Sequence, residues 1–96
     1  MPYGLNKSSQ NPLTSAQIRS ARALIRWSAQ DLARSSAVGL TTIRRAELTE
    51  NETSMTTAND LAVRRALEEA GVEFINENGG GPGVRLRKPI RGKSGK

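Results

Sequence analysis

The segment WSAQDLARSSAVGLTTIRRAE, Trp27 to Glu47, constrains the fold more than any other part of the chain. It holds two helical phrases broken by Ala37-Val38-Gly39, each only two or three turns long. Helices that short are marginal in water on their own, so both must bury an apolar face against neighbours. Ser28-Ala29-Gln30-Asp31 supplies the first start signal. The Ser28 hydroxyl can accept from the Asp31 N–H, and Asp31 suits the positive end of a helix dipole. Trp27, just before the cap, is placed to pack on Leu32 as a hydrophobic staple. The phrase presents Leu32 and Ala33 inward and stops near Ser36. Gly39, Thr41 and Thr42 open the second phrase, glycine being a tolerable N-cap. Ile43, Ala46 and Glu47 then share one side of a helix, and Thr41 and Arg45 share the opposite side.

Elements that could brace this pair are legible on both flanks. Residues 1–13 are rich in Ser, Asn, Gln and Pro without periodicity and read as a flexible arm. Thr14-Ser15-Ala16-Gln17 fits a capping box, and Ile18, Ala21, Leu24 and Ile25 recur at helical spacing to about Arg26. Leu48 to Ser54 is polar and loop-like. A fourth helix is expected from Thr56 or Thr57 to a terminating Gly71, with Val63, Ala66, Leu67 and Ala70 inward and Leu61 on the far side. Beyond Gly71 the period falls to two. Val72-Glu73-Phe74-Ile75, a wide turn and Val84-Arg85-Leu86-Arg87 predict a β-hairpin over residues 72–88. Residues 89–96 read as a basic, disordered tail.

Composition narrows the chemistry. Ninety-six residues make one small domain, and with 35% hydrophobic residues and a single Trp, Tyr and Phe its core must be thin and aliphatic. Fifteen Lys and Arg against nine Asp and Glu give a net charge of +6, which suits a polyanionic partner, nucleic acid first. The chain has no Cys and no His. Disulfides, thiol nucleophiles, the usual zinc sites and imidazole acid–base chemistry are therefore excluded. Glu68, Glu69 and Glu73 form no acid–base pair with a recognisable site, so no enzyme, cofactor or metal is expected. GGGPGV (79–84) is too rich in turn residues, and followed by the wrong element, to be a phosphate-binding loop, which needs a helix after it. No apolar run reaches a membrane span, and Met1–Leu13 lacks the apolar core of a signal peptide, so a cytoplasmic, nucleoid-associated location is expected.

Two short helices joined by a tight turn suit DNA recognition, in which the first braces the second and the outer face of the second enters the major groove. At this point LIRWSAQDLARSSAVGLTTIRRAE resembles the helix-turn-helix of the Cro/C1-type (XRE family) bacterial and phage regulators. The residues that carry the likeness are Ser28, Leu32-Ala33, Val38, Thr42-Ile43 and Glu47. The likeness covers about Ser15 to Gly71, and AGVEFINENGGGPGVRLR is similar to the ending of a subgroup of short XRE-like regulators. Ala29, Ala37 and Gly39 depart from it, standing where the family usually has Gln, a turn Gly and a Ser cap.

The resemblance implies a mostly α, λ-repressor-like domain of four helices with a C-terminal β-hairpin, residues 14–71 being the DNA-binding part. Its implied function is sequence-specific binding of double-stranded DNA at a palindromic operator, as a homodimeric repressor or other transcriptional regulator. Carried over by position, Leu40, Thr41, Arg44 and Arg45 face bases. Ser28, Gly39 and Thr42 face phosphates, with Arg19 and Arg26 as further phosphate candidates. Arg22, set among Ile18, Ala21 and Ile25, is implied to pair with Glu47, because a buried guanidinium needs a carboxylate. A lone two-stranded hairpin is marginal in water, so Val72, Phe74, Val84 and Leu86, with Leu61, are the expected dimer interface. Two alternatives remain open: an antitoxin that binds a toxin and represses its own operon, and an adaptor whose basic face meets an acidic partner such as a polymerase subunit; a toxin or another regulator is the protein partner that these readings allow.

Overall fold

A computed structural model describes residues 11–50, 53–76 and 79–87. Among the described residues, four α-helices are followed by two strands: α1 (Ser15–Ile25), α2 (Ala29–Ser36), α3 (Leu40–Leu48), α4 (Thr57–Glu69), β1 (Val72–Ile75) and β2 (Gly83–Leu86). Residues 1–10 of the arm expected over 1–13, and the whole tail over 89–96, lie outside the described residues.

The helix starts have local causes. Thr14 Oγ1 accepts from the Gln17 N–H at 3.1 Å, and Gln17 Oε1 accepts from the Thr14 N–H at 3.0 Å, closing the capping box of α1. Ser28 and Asp31 make the same reciprocal pair at α2, at 3.0 and 2.9 Å. At α4 the Thr56 hydroxyl accepts from the Asn59 N–H at 3.1 Å. Gly39 begins α3 with no side-chain cap.

The helix ends are less conventional. Arg26 has φ 59° and Ala37 has φ 62°, so α1 and α2 both stop in the left-handed region without a glycine. That conformation costs a residue with a Cβ about 1–2 kcal/mol. It is held in place by hydrogen bonds: the Trp27 N–H donates to Arg22 O at 2.9 Å. Ser36 Oγ donates to Leu32 O at 2.7 Å and accepts from the Val38 N–H at 3.2 Å. Only α4 ends at glycine, where Gly71 has φ 107°.

Ile18 and Ala21 of α1, Leu32 of α2, Ile43 and Ala46 of α3, and Val63 and Leu67 of α4 are all fully buried in one aliphatic core. α2 packs on α3 and α4, while α1 packs on α3 and on both strands. The antiparallel strands pair Val72 with Leu86 and Phe74 with Val84, and β2 begins at Gly83, one residue before the alternation predicted.

Two expectations are corrected here. Leu13 does not belong to a flexible arm: it is 1% exposed, and its N–H donates to Asp60 Oδ1 at 3.0 Å. Nor can Val72 serve a dimer interface, because it is fully buried in the core of its own chain. Phe74 and Val84 are half-buried against that core as well. The reason is that the hairpin closes the domain. Gln17 Nε2 of α1 donates to Ile75 O and Gly83 O at 3.4 and 3.1 Å, fastening both strands to the helices. Of the residues expected at the interface, Leu61 (43%) and Leu86 (50%) remain exposed.

Candidate nucleic-acid interface

α3 is divided lengthwise. Ile43 and Ala46 are fully buried, whereas Thr41, Arg44 and Arg45, spaced by three and four residues, are exposed on one face. Leu40 and Thr42 lie at its margins, half-buried. Neither Arg44 nor Arg45 takes part in an ion pair among the described residues. Their positive charge is open to an incoming polyanion. Beside them, Thr42 and Arg45 form with Thr53, Met55, Thr56 and Asn59 a hollow of about 340 Å³ between α3 and the start of α4.

The far end of α3 is held by α1. Arg22 Nε and Nη2 donate to Glu47 Oε2 and Oε1 at 2.7 and 2.8 Å, a two-pronged pair in which direction as well as distance is fixed. The Arg22 Nη1 donates to Trp27 O at 2.8 Å. The hydrogen bonds that Arg22 donates to Glu47 lift its guanidinium above its ordinary range, with burial opposing. The pair is partly rather than wholly enclosed, its side chains being 22% and 10% exposed. Arg19 Nη1 donates to Glu47 O at 2.6 Å, and Ser15 Oγ donates to Ala46 O while touching Thr49 Oγ1. These groups satisfy the carbonyls that end α3, and the two guanidiniums complement its negative pole.

The phosphate candidates fall into three situations. Arg19 is turned onto Glu47 O and caps α3, a role that sequence reasoning missed because backbone carbonyls look alike in a sequence. Ser28 is exposed, but its backbone N–H is already donated to Asp31 Oδ2 and its hydroxyl accepts from the Asp31 N–H, so the residue is engaged in its own helix cap. The Asp31 carboxyl is held below its ordinary range by the Ser28 N–H first and the Ser28 hydroxyl second. Gly39 and Arg26 are exposed, and the first turn of α3 keeps backbone N–H groups that no side chain at Gly39 covers. A helix start of that kind favours an anion.

Arg64 and Asp60 also escaped sequence reasoning. Both are 7% exposed on the inward side of α4. The available signal was the one used for Arg22: a charge at helical spacing within the apolar stripe of Val63 and Leu67. Among the described residues no cluster of three or more acidic side chains is arranged to hold a metal ion, and no helix is long and apolar enough to cross a membrane. A search of protein-family models and of curated proteins finds no match to this chain.

Proposed function

We propose that this chain is a helix-turn-helix transcriptional regulator of the Cro/C1 type that binds double-stranded DNA sequence-specifically. α2 braces α3, and α3 enters the major groove with Thr41, Arg44 and Arg45 toward base edges. A homodimer places two copies of α3 on a palindromic operator. The observation that carries this reading is the division of α3. One side is locked to the core and to α1, and the other presents two arginines and a threonine with no competing ion pair among the described residues. Arginine can bond bidentately to guanine O6 and N7, and a threonine methyl can touch the thymine methyl.

The test is a footprint of the purified protein on the DNA upstream of its own reading frame, repeated across a salt series. A protected palindrome is expected, with affinity falling steeply as salt rises because phosphate contacts release counterions. Binding that ignores DNA sequence and survives high salt would favour the adaptor and overturn the regulator.

A further inference from the structure

Leu48 is 82% exposed, whereas no other large hydrophobic side chain among the described residues exceeds 50%. In the sequence it reads as the start of a polar loop, but the backbone keeps it helical, as the last residue of α3. That fixes where it points. Leu48 stands three residues beyond Arg45, four beyond Arg44 and seven beyond Thr41, so the four share one stripe of the helix. Ile43 and Ala46, which anchor α3 in the core, lie on the opposite side.

A single exposed leucine is ordinary on a protein surface. Its company sets this one apart. Arg44 and Arg45 precede it on the stripe, exposed and outside every ion pair among the described residues. An apolar protein surface laid over Leu48 would bury both guanidiniums without partners, which is strongly unfavourable. The surface that fits has an apolar point set between rows of negative charge. The major groove of DNA is such a surface, because thymine projects its C5 methyl there between two phosphate backbones.

We infer that Leu48 reads a thymine methyl at the edge of each half-site. The inference rests on α3 being a recognition helix, and adds to that reading a residue and the base it selects. Helical rise sets Leu48 about 4.5 Å past Arg45 and about 6 Å past Arg44 along the axis. Base pairs follow one another every 3.4 Å or so, which makes its target the next pair or the one after. Leucine offers no donor or acceptor, so its selectivity comes from the methyl alone. Cytosine lacks that methyl and turns an amino donor into the groove, which a leucine would desolvate without replacing its bond to water.

The deciding experiment replaces each thymine of the footprinted operator in turn by uracil, which removes the methyl and nothing else. Binding of the full chain is followed by fluorescence anisotropy at low and high salt. One thymine per half-site is expected to matter, its loss weakening binding about fourfold, the worth of one buried methyl group. That ratio should hold at both salt concentrations, since an apolar contact releases no counterions. Leu48→Ala should bind the thymine and uracil operators alike, with the unfolding midpoint of the wild type. The proposal is overturned if no uracil weakens binding, or if Leu48→Ala keeps the full difference. It also falls if Leu48→Ala loses self-association in sedimentation equilibrium, since a second copy would then cover the leucine. Specific binding that ignores the methyl removes only the role of Leu48, whereas binding that ignores DNA sequence removes the recognition helix with it.

Discussion

Arg45 and Glu47 stand two residues apart on α3 and answer to different forces. Arg45 is exposed and outside every ion pair among the described residues, so Arg45→Ala should leave the unfolding midpoint alone. It should weaken specific DNA binding by roughly 1–3 kcal/mol and relax preference at one base position per half-site. Fluorescence anisotropy on the operator and on single-base variants measures both; unchanged affinity and selectivity would remove Arg45 from the interface. Glu47→Ala should do the reverse. It leaves Arg22 with only its bond to Trp27 O, and should cost stability of roughly 1–3 kcal/mol in denaturant unfolding. A fully buried pair would cost more, but Arg22 is 22% exposed and water can partly replace its partner. Wild-type stability in that variant would show that the pair contributes nothing. Arg22 stood out in the sequence because it interrupts an apolar stripe whose spacing is regular. Arg64 interrupts one too, but its partners are a carbonyl 53 residues away and an aromatic face, and neither leaves a mark on the local pattern.

At the scale of the element, α2 depends on an ionised carboxylate at its start. Asp31 accepts from the Ser28 N–H in the folded chain, and its pKa is lowered by that bond. The folded group therefore binds its proton less readily than the unfolded one. Its contribution is fully present above the ordinary aspartate value of about 4 and is lost as pH falls through the lower, folded value. An NMR pH titration should find the Asp31 carboxyl titrating below that value and the Ser28 amide losing hydrogen-exchange protection over the same interval. A midpoint at or above the ordinary value would contradict the cap. Cap residues lie three positions apart, which is why the Thr14–Gln17 box, the Ser28 cap and both helix starts were legible, although the bond from the Ser28 N–H back to Asp31 was not. The helix ends at Arg26 and Ala37 were harder to place, since left-handed backbone without glycine carries no compositional sign.

For the whole molecule the hairpin is the element most changed by seeing it folded. Alternation marked out its strands, but a two-residue period does not say whether the apolar face meets its own core or a second chain. Here Val72 fills the core, and the Arg87 N–H donates to Gly71 O at 2.7 Å. Burial of a valine contributes about 1.5–3 kcal/mol, so a chain ending at Gly71 should unfold at clearly lower denaturant concentration than the full chain. An unchanged midpoint would show the hairpin to be an appendage. The proposed homodimer would then use what stays outside. Leu86→Lys should yield a monomer in sedimentation equilibrium, while Leu48→Lys, at a residue 82% exposed on the end of α3, should not. A dimer that survives Leu86→Lys would move the contact to another surface. Under the proposed function, the geometry of that dimer would set the two α3 helices about 34 Å apart, one turn of DNA. The lengthwise division of α3 bears finally on inheritance. Its anchors are Ile43, Ala46 and Glu47, and its exposed face is Thr41, Arg44 and Arg45, so the two sets share no residue. Under the proposed function, mutations in the exposed set should spare folding and be judged by selection on recognition alone. Duplicate copies of such a gene can drift to new targets through single substitutions, each intermediate still a folded protein.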